Sequence, residues 1–348
     1  DGVAFVLFVM PGGEMTNLSL SYAGHLSDRV EDLFRGVVKP ESIDLHCIAL
    51  PPFQAFSRFL RGDFDCGEMS FSGYVIRSAQ SKATGKPMPY VAIPAFPSRV
   101  FRHGAIYVNR ASGIRRPEDM TGRRVGVPEY HMTAAVWARG MLQHQYGVAP
   151  QSIEWVTGGL QQAGRKPMIA MEYPGIKVRH EEAATLNDML LTGEIEALIA
   201  PQMPPAIRQG RPEVGLLFED LAAAEQAYYR ETGLFPIMHT VVIRRELYER
   251  HPWVAVSLYA AFDEAKANCL ARLSVEEPAP ISLPWSWSLR QKAVAMMGED
   301  FWPYGIEKNL KVIEALCQYT FEQGLAPLKA TAEDLFAPSV LALANERL

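Results

Sequence analysis

Short apolar segments that read as β-strands alternate along this chain with longer segments that read as helices, and the alternation begins again near residue 101. Such a chain is constrained to an α/β architecture with largely parallel sheets, because each helix must carry the chain back to the next strand. "LSLSYAG" reads as a strand ending in a glycine turn, and "SDRVEDLFRG" as a helix with Ser27 at its N-cap and Gly36 at its stop. "IDLHCIAL" is a second strand. Pro51 and Pro52 open the helix "FQAFSRFLRG", and "FDCGEMSFSGYVIRSAQ" supplies a short strand, a turn and another helix.

The second round reads "RRVGV" as a strand, "MTAAVWARGMLQHQYG" as a helix, "IEWVTGG" as a strand, "TLNDMLLTGE" as a helix and "IEALIAP" as a strand. Beyond Pro252, residues Val254, Leu258, Ala261, Phe262 and Ala265 keep one apolar helical stripe. Extended segments near 97–108 and 236–245 join the two rounds. The expectation is a two-lobed α/β fold: residues 15–100 and 240–348 build a discontinuous first lobe, and residues 101–239 the second. A ligand cleft then lies between them, where strand ends and helix starts converge.

Within the second lobe, "VGVPEYHMTAAVW" runs from strand through a turn at Pro128 into a helix, with Glu129, Tyr130 and His131 in the turn and Thr133 just behind. A helix start offers unpaired N–H groups and partial positive charge, which suits an anion.

At 348 residues the chain is long enough for two cores. Its formal net charge of −5, with no lysine or arginine run, argues against a nucleic-acid partner. The four cysteines (Cys47, Cys66, Cys269 and Cys317) are widely spaced and form no C-x-x-C pair; they read as buried free thiols in a reducing compartment. The histidines lack an H-x-x-x-H spacing and no acidic cluster stands out, so neither a metal nor another cofactor is expected. The apolar run Val3–Met10 lacks a basic flank and a small-residue cleavage site and is too short to span a bilayer. Residues 1–14 therefore read as a leader or upstream extension, Met15 as the natural start, and the protein as cytoplasmic without a membrane partner. Homo-oligomerisation stays open.

The stretches "FDCGEMSFSGY" (64–74), "FPSRVFRHGAIYVN" (96–109), "DMTGRRVGVPEYHMTAAVWARG" (119–140) and "WPYGIEKN" (302–309) resemble the 4,5-dihydroxyphthalate decarboxylase family, within the type II periplasmic-binding-protein-like fold. The resemblance runs from about Met15 to the C-terminus. It implies two mixed sheets flanked by helices, and cofactor-independent loss of one carboxylate from a small aromatic dicarboxylate, giving 3,4-dihydroxybenzoate and CO2 by ring protonation.

That chemistry needs cations for the retained carboxylate, a proton donor at the ring, a base near a phenol and a less polar patch for the leaving group. Arg99 and Arg102 offer bidentate cations, with Arg99 the favoured ligand and Arg102 divided between ligand and interlobe salt bridge. His103, Glu68 and His25 are the candidates for proton transfer; Glu68 can equally be a capping carboxylate and His25 a structural histidine. Tyr130, His131, Thr133, Ser70, Ser72 and His239 are candidate substrate contacts, although capping explains the serines equally well and a hinge role competes for His239. Trp302 and Tyr304 of "WPYGIEKN" are expected to dock the C-terminal helix. A solute-binding protein for an aromatic or other small carboxylate, without catalysis, is the alternative function.

Overall fold

The computed structural model describes residues 17–166, 172–277 and 281–345, so the leader, residues 1–14, and Met15 lie outside the described residues. Strands β1 (Leu18–Gly24), β2 (Ile43–Ala49), β3 (Cys66–Ser70) and β4 (Tyr90–Arg99) belong to a first sheet. A second holds β5 (Ile106–Asn109), β6 (Arg124–Val127), β7 (Glu154–Gly158), β8 (Val178–Glu181), β9 (Ala197–Ile199) and β10 (Val214–Leu216). The chain then returns, and β11 (Ile237–Arg244) inserts into the first sheet between β3 and β4.

Both sheets are mixed. The first has the order β2-β1-β3-β11-β4, with β1, β2 and β3 parallel and β11 antiparallel to both neighbours. The second has the order β10-β5-β9-β6-β7-β8, antiparallel at the β5 side and parallel at the β7 side. The anticipated lobe boundary at 239/240 runs through β11, whose residues from Ile237 onward pair within the first sheet.

Helix α1 (Glu31–Phe34) is a single turn; Val30, not Ser27, stands at its N-cap. The expected longer helix does not form, and the Ser27 hydroxyl has no hydrogen-bond partner among the described residues. Helices α2 (Pro52–Arg61), α3 (Phe71–Thr84), α4 (Thr133–Tyr146) and α5 (Leu186–Thr192) fall where sequence periodicity puts them. The short α6 (Pro205–Arg208) and α7 (Leu221–Thr232) have no counterpart in that reading. After α8 (Arg245–Arg250), α9 (Trp253–Leu273) buries the stripe of Val254, Leu258, Ala261, Phe262 and Ala265. Of the four thiols, Cys66, Cys269 and Cys317 are buried as expected, whereas Cys47 is half-buried. No described helix is long and apolar enough to cross a membrane.

One feature closes the edge of the first sheet and a second holds the lobes together. In β4, Pro94 and Pro97 lack an N–H, which an edge strand tolerates. The "WPYGIEKN" segment covers that edge: Gly305 N donates to Pro94 O at 2.9 Å and Trp302 Nε1 to Phe96 O at 3.0 Å. Helix α4 of the second lobe is itself embedded in the first. Its Trp137 Nε1 donates to Ile237 O at 2.9 Å, its Arg139 bonds Gln323 Oε1 at 2.9 Å, and Gly140 lies flat against the Tyr319 ring of α10 (Leu310–Glu322). A Cβ at Gly140 would come within 2.1 Å of that ring, so only glycine permits this approach.

Candidate active site

The C-terminal end of β3 carries Met69 and Ser70 to the interlobe cleft, and Glu68 lies behind them without lining the cavity. The Glu68 carboxylate is almost fully buried, and its Oε1 meets His239 Nδ1 at 2.5 Å. Its Oε2 accepts the His25 N–H at 2.7 Å. Burial pushes the Glu68 carboxyl up, but the His239 imidazole and the His25 N–H outweigh this and hold it below the ordinary range. An ionised Glu68 fixes the Nδ1–H tautomer of His239, and Nε2 then has no hydrogen-bond partner among the described residues. The pairing of β11 with β4 is irregular on both sides of His239. Such an interruption re-aims side chains, and here the consecutive Met238 and His239 both face the cleft.

A cavity of about 660 Å³ occupies the cleft. Phe53, Phe56 and Leu60 of α2 form an apolar wall, and His239 meets the edge of Phe56 at 4.9 Å between ring centroids. Arg102 enters from the crossing after β4. Among the described residues its hydrogen bonds go to the weak thioether acceptor Met238 Sδ, 3.0 Å from Nε, and no described carboxylate pairs with it. Burial lowers its pKa to about 10, so it remains a cation at neutral pH. A half-buried guanidinium that lines a cavity without a carboxylate partner is suited to receive one from a ligand.

The second lobe contributes the turn before α4. His131 Nε2 lies 3.2 Å from Glu129 Oε2, and Arg165 forks onto Glu129 Oε1, with Nε at 3.1 Å. Burial raises the Glu129 carboxyl, and His131 and Arg165 overcome it, leaving the group ionised. The Thr133 hydroxyl, at the first position of α4, knots the lobes together: it is 2.8 Å from Ser70 Oγ and accepts the Ser72 N–H at 3.1 Å.

Several anticipated ligands are placed elsewhere. Arg99 does not line the cavity. Its Nη1 donates to Phe235 O at 2.9 Å and its Nη2 to Pro303 O at 2.7 Å and to Asn309 Oδ1, so it staples both crossings to the C-terminal segment. His103 is also outside; it is fully buried against Phe218 and Tyr228, and burial lowers its pKa to about 4. Ser72 spends its hydroxyl on His131 O at 2.8 Å. Tyr130 turns inward beneath the Arg139 guanidinium, 3.6 Å above its ring. The His25 side chain is exposed, and only its N–H reaches Glu68. Arg102, His131, Thr133, Ser70 and His239 do line the cavity. Arg165, Phe53 and Met238 also line the cavity and were not anticipated: Arg165 and Met238 belong to no motif, and the periodicity of α2 marks a helix without saying that Phe53 faces the cleft.

Among the described residues no group of three or more His, Cys, Asp or Glu side chains is placed to hold a metal ion. What the cleft can do is bind a small aromatic anion at Arg102 and exchange a proton with it at His239.

No protein-family model matches the chain. In structure it is similar to the putative sulfonate ABC transporter periplasmic sulfonate-binding protein SsuA from Methylobacillus flagellatus (TM-score 0.52, 12% identity, 95% of each chain). It is likewise similar to the periplasmic aliphatic sulphonate binding protein SsuA from Escherichia coli (TM-score 0.50, 13% identity, 93% of this chain and 98% of that one). These likenesses establish the two-lobed binding-protein fold. In sequence it is 37% identical over 330 residues to a 4,5-dihydroxyphthalate decarboxylase from Comamonas testosteroni, covering 94% of this chain and 98% of the relative. A 4,5-dihydroxyphthalate decarboxylase from Pseudomonas putida is 36% identical over 219 residues, 62% of this chain and 83% of the relative. The chain belongs to the 4,5-dihydroxyphthalate decarboxylase family.

Proposed function

We propose that the protein decarboxylates 4,5-dihydroxyphthalate to 3,4-dihydroxybenzoate and CO2 in the interlobe cleft, with the Glu68–His239 pair delivering the proton. The observation that carries this reading is the 2.5 Å contact between a buried carboxylate and an imidazole that faces the cavity, which is also lined by Arg102, a cation with no carboxylate partner among the described residues. A protein that only captured its ligand would have no use for that pair, and membership of a decarboxylase family weighs the same way.

In the substrate each carboxylate stands para to a hydroxyl. Arg102 holds the retained carboxylate, and the leaving carboxylate lies toward the apolar wall of Phe53, Phe56 and Leu60, where desolvation disfavours its charge. Glu129, kept ionised by His131 and Arg165, accepts a hydrogen bond from the phenol para to the leaving group and increases electron density at the carbon to be protonated. His239, held by Glu68 through its Nδ1–H, takes up a proton at Nε2 and passes it to that carbon. The C–C bond then breaks, its electrons return to the ring and CO2 leaves. One proton is consumed for each CO2 released, with no net oxidation or reduction.

The test is direct conversion: purified protein in deuterated buffer should release one CO2 per 3,4-dihydroxybenzoate, with one deuterium at the vacated ring carbon. Binding without conversion would support a capture function instead.

A further inference from the structure

The cleft cavity extends well past the level of His239. Along β11, His239 is level with Ser70 of β3 and Ser98 of β4, whereas Tyr90, which also lines the cavity, is level with Arg244. Five residues of strand separate the two levels, about 16 Å at the usual rise of a strand. A single ring held at Arg102 and protonated from His239 does not reach the Tyr90 end.

That end is built by α2 and α3. Ser70, Gly73 and Arg77 follow one another at spacings of three and four, so they share the face of α3 that borders the cavity. Ser70 caps the helix and Arg77 lies two turns in. Gly73 keeps this face open, because a Cβ there would meet no side chain but Ser70, at 3.4 Å. Phe56 and Leu60 of α2 supply the apolar wall. The Tyr90 ring closes the end. It packs at 5.6 Å between centroids on Phe59 of α2 and at 6.0 Å on Tyr74 of α3, one turn before Arg77.

Two polar groups at this end lack the partners that their placing calls for. Tyr90 is almost fully buried, and its hydroxyl has no hydrogen-bond partner among the described residues. Arg77 is half-buried, lines the same cavity and forms no ion pair among the described residues. Burial pushes the Tyr90 phenol up and the Arg77 guanidinium opposes that push, as expected of neighbours on one wall. A guanidinium and a phenol O–H at the end of an apolar slot are complementary to a carboxylate on an aromatic ring. The cation takes the carboxylate by charge-assisted bonds, the hydroxyl donates one more, and the ring lies against Phe56 and Leu60.

We propose that the α2–α3 end of the cavity is a second binding site, which takes an aromatic monocarboxylate while the substrate stands at Arg102. Arg77 and Tyr90 hold the carboxylate. With one cation at this end, a ligand with a single carboxylate is favoured over the dicarboxylate substrate, and the product 3,4-dihydroxybenzoate has that form. The choice of this product as ligand rests on the decarboxylation reading; the site itself does not.

Titration calorimetry of the whole protein with 3,4-dihydroxybenzoate tests the site without turnover. Two molecules should bind to the wild type, one to Arg77→Met and one to Arg102→Met. Arg77→Met should weaken the second site about 10–100-fold, and Tyr90→Phe, which keeps the ring, about 3–10-fold. In steady-state kinetics the product should lower the maximal rate of the wild type and become a purely competitive inhibitor of Arg77→Met, with the KM for 4,5-dihydroxyphthalate within about twofold of wild type. One molecule bound to the wild type, or two bound unweakened to Arg77→Met, would overturn the second site even if the protein releases CO2. A KM raised more than tenfold by Arg77→Met would place this residue in the substrate site and overturn it as well. Two molecules bound by a protein that releases no CO2 would sink the decarboxylation reading and leave the second site standing.

Discussion

The Glu68 carboxylate and the His239 imidazole, 171 residues apart in sequence, meet at 2.5 Å because β3 and β11 are neighbours in one sheet. The carboxylate is buried and the imidazole faces the cleft, so the contact joins the protein interior to the ligand cavity.

Removing either partner should damage chemistry more than binding. His239→Asn and Glu68→Gln are expected to lower kcat by about 10²–10⁴, the usual contribution of a positioned acid or base, with KM changing less than tenfold. Steady-state kinetics with 4,5-dihydroxyphthalate checks this.

Arg102 and Arg99 should separate cleanly. Arg102→Met is expected to raise KM by about 10–100-fold while leaving thermal stability near wild type, because its present partner is a thioether. Arg99→Met should do the reverse, since it leaves the Phe235 carbonyl and Asn309 Oδ1 without the guanidinium donor, at a cost of about 1–3 kcal/mol in stability. Paired melting curves and KM values decide it.

His103 sets an acid limit on the fold. Its folded pKa of about 4 lies below the ordinary 6.5, so the unfolded chain takes up a proton that the native state refuses. Stability attributable to this site is intact above pH 6.5 and is lost as pH falls toward 4. His103→Leu fits the aromatic surroundings of Phe218 and Tyr228 and should flatten that decline, with kcat and KM within about twofold of wild type. Urea midpoints at pH 5 and pH 7 give the comparison.

The lobes should not swing apart as a capture device requires. Gly140→Val drives a side chain into the Tyr319 ring and is expected to destabilise the protein by about 1–3 kcal/mol. The radius of gyration of the wild type by solution scattering should be the same with and without ligand.

Much of the architecture was legible because periodicity is local. The stripe from Val254 to Ala265 and the strand–turn–helix at Val125–Trp137 announce themselves within a dozen residues. Strand β8, "VRHE", carries no apolar run, so nothing distinguishes it from loop, and β10 is only three residues long. Site residues were half legible. Glu68 and Arg102 stand at strand ends near the cleft, as their place in the sequence suggests, but sequence cannot say which way a side chain points. Arg99 and Arg102 are three apart, yet one faces backbone carbonyls and the other the cavity. His239 was legible as a cleft residue and not as the partner of Glu68, because that pairing depends on where β11 inserts.

The most direct test is turnover of 4,5-dihydroxyphthalate by the wild-type protein beside His239→Asn, with CO2 and 3,4-dihydroxybenzoate measured together. Equimolar products from the wild type and a loss of at least about a hundredfold in the variant are predicted. No product from the wild type, or undiminished kcat in a folded His239→Asn protein, would contradict the account.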